Sequence, residues 1–221
     1  MCFSANASLS TGVILSFAGI AAIRKAPHPS QILFAAIPLI FAVQQLAEGC
    51  LWLTLRNPAL FAAQNGATYI FLCFAQVIWP AWVPIAFLVL EKKETRTSLQ
   101  KILVGIGLVI SGYLAFCLIA FPVQARIMAH HITYDQAYPQ SLSKYVAGLY
   151  LIATLIPPFF SHIKNMRLLG TAIFVSYLIT TVFFDDYLIS VWCFFASVIS
   201  ISVYVIVYKM AKTGLLAEES V

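Results

Sequence analysis

Charge is what this chain has least of. Only 10% of its 221 residues are Asp, Glu, Lys or Arg, against about 25% in an average soluble domain. Hydrophobic residues make up 62% and the mean hydropathy is +0.92. This combination points to one integral membrane domain over residues 1–221, all-α, with no separate soluble part. Met1–Ser10 holds no Lys or Arg. A cleavable signal peptide would lack its basic n-region there, so the first apolar segment is expected to be the insertion signal. The five cysteines form no CxxC pair, which speaks against a zinc knuckle or a disulfide framework. The net charge is +5, yet no basic patch is interleaved with stacking aromatics. Nucleic acid is therefore not an expected partner; the lipid bilayer is.

Runs of about 20 mostly apolar residues are needed to cross the hydrocarbon core. Seven such runs are predicted, at about 8–23, 31–55, 67–90, 102–121, 144–160, 168–184 and 187–208. Basic residues set their orientation, because loops rich in Lys and Arg stay cytoplasmic. Arg24, Lys25, Lys92, Lys93, Arg96, Lys101, Lys164, Arg167, Lys209 and Lys212 fall on one side of the predicted bundle. Arg56, Arg126 and Lys144 fall on the other. An outside N-terminus and a cytoplasmic C-terminus follow. The ordering of spans 1–3 echoes that of spans 5–7, which fits a 3+1+3 arrangement, although residue identity between the halves is poor. The segment at about 122–143 reads as a solvated outer loop.

Against this apolar background one acid stands out. Glu48 lies within the run FAAIPLIFAVQQLAEGCLWLTL. A carboxylate at membrane depth costs a few kcal/mol or more, so such groups usually face a bundle interior and serve a function. Phe41, Gln44, Gln45, Glu48 and Trp52 share a helical face. Counting inward from the span ends places Gln76 and Trp79 of span 3 at similar depth. Trp192 and Cys193 of span 7 fall in the same layer, with Ser176, Tyr177 and Thr180 of span 6. These residues would form a polar pocket that opens outward. The stripe Ser190, Cys193, Ser197, Ser200 has a plainer reading as close helix packing.

Other patterns carry weaker signals. The stretch Trp79-Pro80-Ala81-Trp82-Val83-Pro84 removes two backbone donors four residues apart, which frees carbonyls and kinks the helix. Pro157-Pro158 and Pro38 are expected to interrupt spans 5 and 2. His130 and His131, with Asp135 nearby, are candidate metal ligands, and if their loop folds over the outer mouth they would converge with Asp185 or Asp186 and with Glu48. Their spacing lacks the fixed geometry of a helical zinc motif, and a solvated loop is the better reading. Cys2 would become an N-terminal nucleophile if Met1 were removed.

The opening Met1-Cys2-Phe3-Ser4-Ala5, the block Phe41–Gly49 with Trp52, the Trp79–Pro84 stretch and Ser190–Ala196 together resemble a family of small bacterial multi-pass membrane proteins of unassigned function. The resemblance covers nearly the whole chain. It implies a bacterial cytoplasmic (inner) membrane location and supplies no substrate or cofactor.

Three functions stay open on the sequence. The first is binding or transport of a small solute at a pocket centred on Glu48, where Gln44, Gln45 and Gln76 orient the solute. Trp52, Trp79 and Trp192 would wall it, and a cationic or amine-bearing solute would suit it. The second is an intramembrane metal-dependent enzyme acting on a lipid or small hydrophobic substrate. The third is a sensor or accessory subunit whose polar layer fixes helix register. Cofactor, coupling ion and oligomeric state are not encoded in any recognisable motif.

Overall fold

The computed structural model describes residues 4–128, 131–163 and 165–218. Among them, seven helices are long and apolar enough to cross a membrane. Spans 1–4 are Ala5–Lys25, Pro29–Leu55, Ala62–Leu90 and Ser98–Ala120, and spans 5–7 are Gln140–Phe160, Met166–Phe183 and Asp185–Lys212. Every predicted run is present, and most differ only by a few residues at their ends. Large apolar side chains such as Val109, Ile119, Phe183 and Val182 project outward, at 70–87% exposure. In water such a surface would be untenable; it is the expected boundary with lipid.

Spans 1 and 2 form the tightest pair. Span 1 buries Ala5, Ser8, Gly12, Leu15, Gly19 and Ala22, an alternating three- and four-residue spacing that makes one narrow stripe. Small residues let the backbones meet: a Cβ added at Gly19 would lie 2.5 Å from the Leu39 nitrogen. This is the small-residue packing that drives helix association in lipid. Span 1 starts at Ser4, whose hydroxyl accepts from the Ala7 N–H at 3.3 Å. Span 4 starts with a capping box, in which Thr97 and Gln100 satisfy each other's backbone N–H groups.

Three spans are broken, each at a proline. Span 2 bends at Ala36, just before Pro38. Span 5 ends its α-helical part at Leu155 and tightens into a 3₁₀ turn over Pro157–Phe160. Span 3 contains a π-helical stretch, Cys73–Ile78, directly ahead of Trp79 and Pro80. Proline lacks an N–H, so the carbonyls one turn earlier lose their partners. Neighbouring helices supply donors to this irregular backbone. The Tyr150 hydroxyl donates to the Ala75 carbonyl at 2.6 Å, and Ser111 Oγ donates to the Val77 carbonyl at 2.6 Å.

The predicted loop between spans 4 and 5 is instead a structured cap. Val123–Met128 (β1) and His131–Gln136 (β2) pair antiparallel, with Val123 opposite Gln136 and Ala125 opposite Tyr134. Alternation places Val123, Ala125, Ile132, Tyr134 and Gln136 on one face. Val123, Ala125 and Ile132 are buried among Ala5, Leu51, Trp52, Ala67 and Phe71. Arg126 and Asp135 pair on the other face, where both are exposed. The hairpin thus closes one end of the bundle rather than floating above it.

Candidate functional site

Glu48 is fully buried. Its Oε1 accepts from the Ser190 hydroxyl at 2.5 Å, which ties span 2 to span 7. Ser8 of span 1 and Gln45 stand close enough to bear on the carboxylate, yet neither meets hydrogen-bond geometry with it, and Glu48 Oε2 has no partner. Gln45 is fully buried as well, and neither end of its amide is bonded. Buried polar groups in native proteins are normally satisfied, so this concentration of orphaned atoms is unusual.

One helical turn away, Gln44 Oε1 accepts from Trp79 Nε1 at 2.7 Å. The Trp79 ring stacks on Phe41 at 4.0 Å. Gln44 also lies against Cys193. Tyr134 approaches from the hairpin: its ring stacks on Phe71 at 5.1 Å and its hydroxyl is unbonded. Burial pushes the Tyr134 phenol well above its usual value, and the nearby Glu48 adds to that shift. The phenol is therefore a neutral hydrogen-bond donor next to the acid.

Two cavities adjoin this cluster. The larger holds about 240 Å³ and lies under the hairpin. Five aromatic residues line it: Tyr113, Tyr138, Tyr150, Tyr177 and Trp192. Trp192 meets Tyr177 and Tyr150 edge-on, at 5.2 and 6.2 Å. Gln76 and Gln136 supply its amides; Gln76 Nε2 donates to Gln136 Oε1 at 3.0 Å, and the Tyr138 hydroxyl donates to Gln76 Oε1 at 3.1 Å. Burial raises the Tyr138 phenol above its ordinary range, so it too stays a donor. Among the described residues no Lys, Arg, Asp or Glu lines this cavity. The smaller cavity, about 70 Å³, sits deeper in the bundle, and Tyr150, Trp192 and Cys193 line both.

The structure thus gathers most of the residues singled out from the sequence, though not in one ring. Gln76, Trp192 and Cys193 line the larger cavity, and Trp79 lines the smaller one. Glu48, Gln44 and Gln45 stand behind the wall. Trp52 is buried beyond them, beneath the hairpin, with Arg56 at 5.5 Å from its ring. Ser197, Ser200, Ser176 and Thr180 all donate to carbonyls of their own helices, the local bonding common for hydroxyls inside helices. His131 stacks on Tyr187 at 4.1 Å. Among the described residues no three His, Cys, Asp or Glu side chains stand together as a ligand set around His131 or Asp185. His130 and Cys2 lie outside the described residues.

Sequence reasoning missed the hairpin's contribution, Tyr134, Gln136 and Tyr138. It also missed Glu91, buried at the opposite end of the bundle. Glu91 Oε1 accepts from Ser161 Oγ at 2.6 Å and from the His162 backbone N–H at 2.9 Å. His162 Nδ1 lies 3.4 Å from the other oxygen. The carboxylate thereby joins the loop after span 3 to the loop after span 5. Hydrogen bonds to a charged group contribute about 1.5–3 kcal/mol. Glu91→Ala should lower stability by about 2 kcal/mol in thermal unfolding, while Glu94→Ala, at an exposed site, should leave the midpoint unchanged. Equal midpoints for the two variants would remove Glu91 from this role.

No curated protein and no solved structure matches the chain. Over residues 1–217 the chain matches, and belongs to, a family of unknown function (DUF6629).

Proposed function

We propose that this membrane protein binds a small amine-bearing or cationic solute in the hairpin-covered cavity and carries it across the bilayer. One observation carries the reading. A buried carboxylate with an unpartnered oxygen lies just behind an aromatic-walled cavity that, among the described residues, holds no basic side chain. Aromatic faces attract cations through their quadrupole, most strongly when water is excluded. A carboxylate in low dielectric acts over several ångströms, and Ser190, which bonds Glu48, lies on the same helical turn as Ile189, Trp192 and Cys193 of the cavity wall. Gln76, Gln136 and Tyr138 would orient the polar atoms of the solute. Glu48 supplies the counter-charge.

In this reading the basic loops face the cytoplasm of a bacterial cell, and the hairpin covers the outward mouth. The breaks in spans 2, 3 and 5 suit the reading as well, since interrupted helices border the solute sites of many transporters.

The test uses the protein in lipid nanodiscs, titrated with tetramethylammonium by calorimetry. Wild type should bind it, and Trp192→Leu should bind about tenfold more weakly, the loss expected for one cation–π face. Absence of heat and of bound mass in native spectra would overturn the proposal.

A further inference from the structure

The smaller cavity differs from the larger one in chemistry. Most of its polar side chains are already occupied; the exception is Trp192, shared with the larger chamber, whose Nε1 is unbonded. Thr154 Oγ1 donates to the Tyr150 carbonyl at 2.9 Å, Ser200 Oγ to the Ser197 carbonyl at 2.6 Å and the Tyr150 hydroxyl to the Ala75 carbonyl at 2.6 Å. Trp79 Nε1 is held by Gln44. Away from the junction at Trp192 and Cys193, what lines the space is carbon, from residues such as Ile37, Phe87, Leu169, Ala196 and Val203. A cavity of this kind stays dry and accepts apolar guests. The two chambers meet at Tyr150, Trp192 and Cys193.

We infer that the solute is an amphiphile: its cationic head sits among the aromatics of the larger chamber and a short alkyl tail enters the smaller one. This rests on the cation-binding reading of the larger chamber and adds the substrate class to it. Each methylene buried in a carbon-lined space should tighten binding by about fourfold, until the chamber is full. Longer chains would then gain nothing further.

The experiment measures the binding of tetramethylammonium and of ethyl-, butyl-, hexyl- and octyltrimethylammonium to the full chain in nanodiscs. Wild type is compared with Ala196→Phe and Val203→Phe, each of which fills the smaller chamber. The expected result is affinity rising with chain length in wild type. At least one folded variant should bind tetramethylammonium like wild type yet show no gain from the tail. Tetramethylammonium binding with no dependence on chain length would overturn the inference and leave the cation site standing. An equal gain in wild type and both variants would assign the tail to lipid, and would also overturn it. If neither variant folds, competition decides the matter: butylbenzene should weaken hexyltrimethylammonium binding without changing that of tetramethylammonium, and no such difference would overturn the inference. Failure of tetramethylammonium and every longer homologue to bind would remove the head-group reading itself, and the tail with it.

Discussion

Glu48→Gln is expected to abolish cation binding while leaving the fold intact. The substitution keeps the side chain's shape and one acceptor oxygen, so the Ser190 hydroxyl still has a partner at the position now 2.5 Å away. What disappears is the charge. At this depth a carboxylate without a counter-ion is costly, and a bound cation relieves that cost; the neutral amide offers no such gain. Loss of one partner from a desolvated charge pair typically weakens binding by about 2–5 kcal/mol, so tetramethylammonium affinity should fall by about thirtyfold or more. The melting midpoint should change by only a few degrees. Glu48→Ala should behave differently. It leaves the Ser190 hydroxyl buried without an acceptor, beside Ser8 and Gln45, which already lack partners, and adds a cavity. That variant should lose stability as well as binding. If Glu48→Gln binds like wild type, the carboxylate is a structural pin between spans 2 and 7.

How much of this site can be read from the sequence depends on where each partner lies. Glu48, Gln44, Gln45 and Trp52 share one helix, so their spacing alone reveals a common face. Gln44 and Trp79 face each other because both lie at a countable depth in adjacent spans. The prolines mark the breaks for a chemical reason that needs no tertiary information. By contrast, Gln76 meets Gln136 and Tyr138 sixty or more residues away, through a hairpin that no helical count anticipates. The two-residue alternation of Val123, Ala125 and Ile127 is present in the sequence. It is masked by Gln124, Arg126, His130 and His131, which make the segment resemble a wetted loop. Glu91 hides in the same way: in the charged run EKKETR nothing distinguishes the one acid that folds inward. The site therefore shows itself where apolar surroundings make a polar residue conspicuous, and disappears where polar residues are ordinary.

Gly107→Ala should be the most damaging single-methyl change in the bundle. Pro84 has no N–H, so the Pro80 carbonyl loses its helical donor, and span 4 packs Gly107 directly against that carbonyl. A Cβ at 107 would collide with the Pro80 oxygen and lie 2.9 Å from Pro84 Cγ. Neither neighbour can yield: one is backbone, the other part of a ring. One turn on, Ser111 donates to the Val77 carbonyl on the same broken stretch, so displacing span 4 would also break that bond. Overpacking costs about 1–3 kcal/mol, and the lost hydrogen bond adds about 1 kcal/mol. A loss of about 2 kcal/mol or more corresponds to about 4–8 °C in a domain of this size. Gly105 and Gly112 supply the control, since a Cβ at either meets nothing within 4 Å. There alanine should be neutral or stabilising by up to about 1 kcal/mol, its intrinsic advantage over glycine in a helix. Span 4 carries Tyr113 and Leu114 of the larger cavity, facing Ala75 and Gln76 of the broken stretch. Gly107→Ala should therefore weaken tetramethylammonium binding as well as lower the melting midpoint, while Gly105→Ala leaves binding unchanged and does not lower the midpoint. Equal midpoints for the two alanine variants would mean that the contact with Pro80 does not hold the broken helix in place.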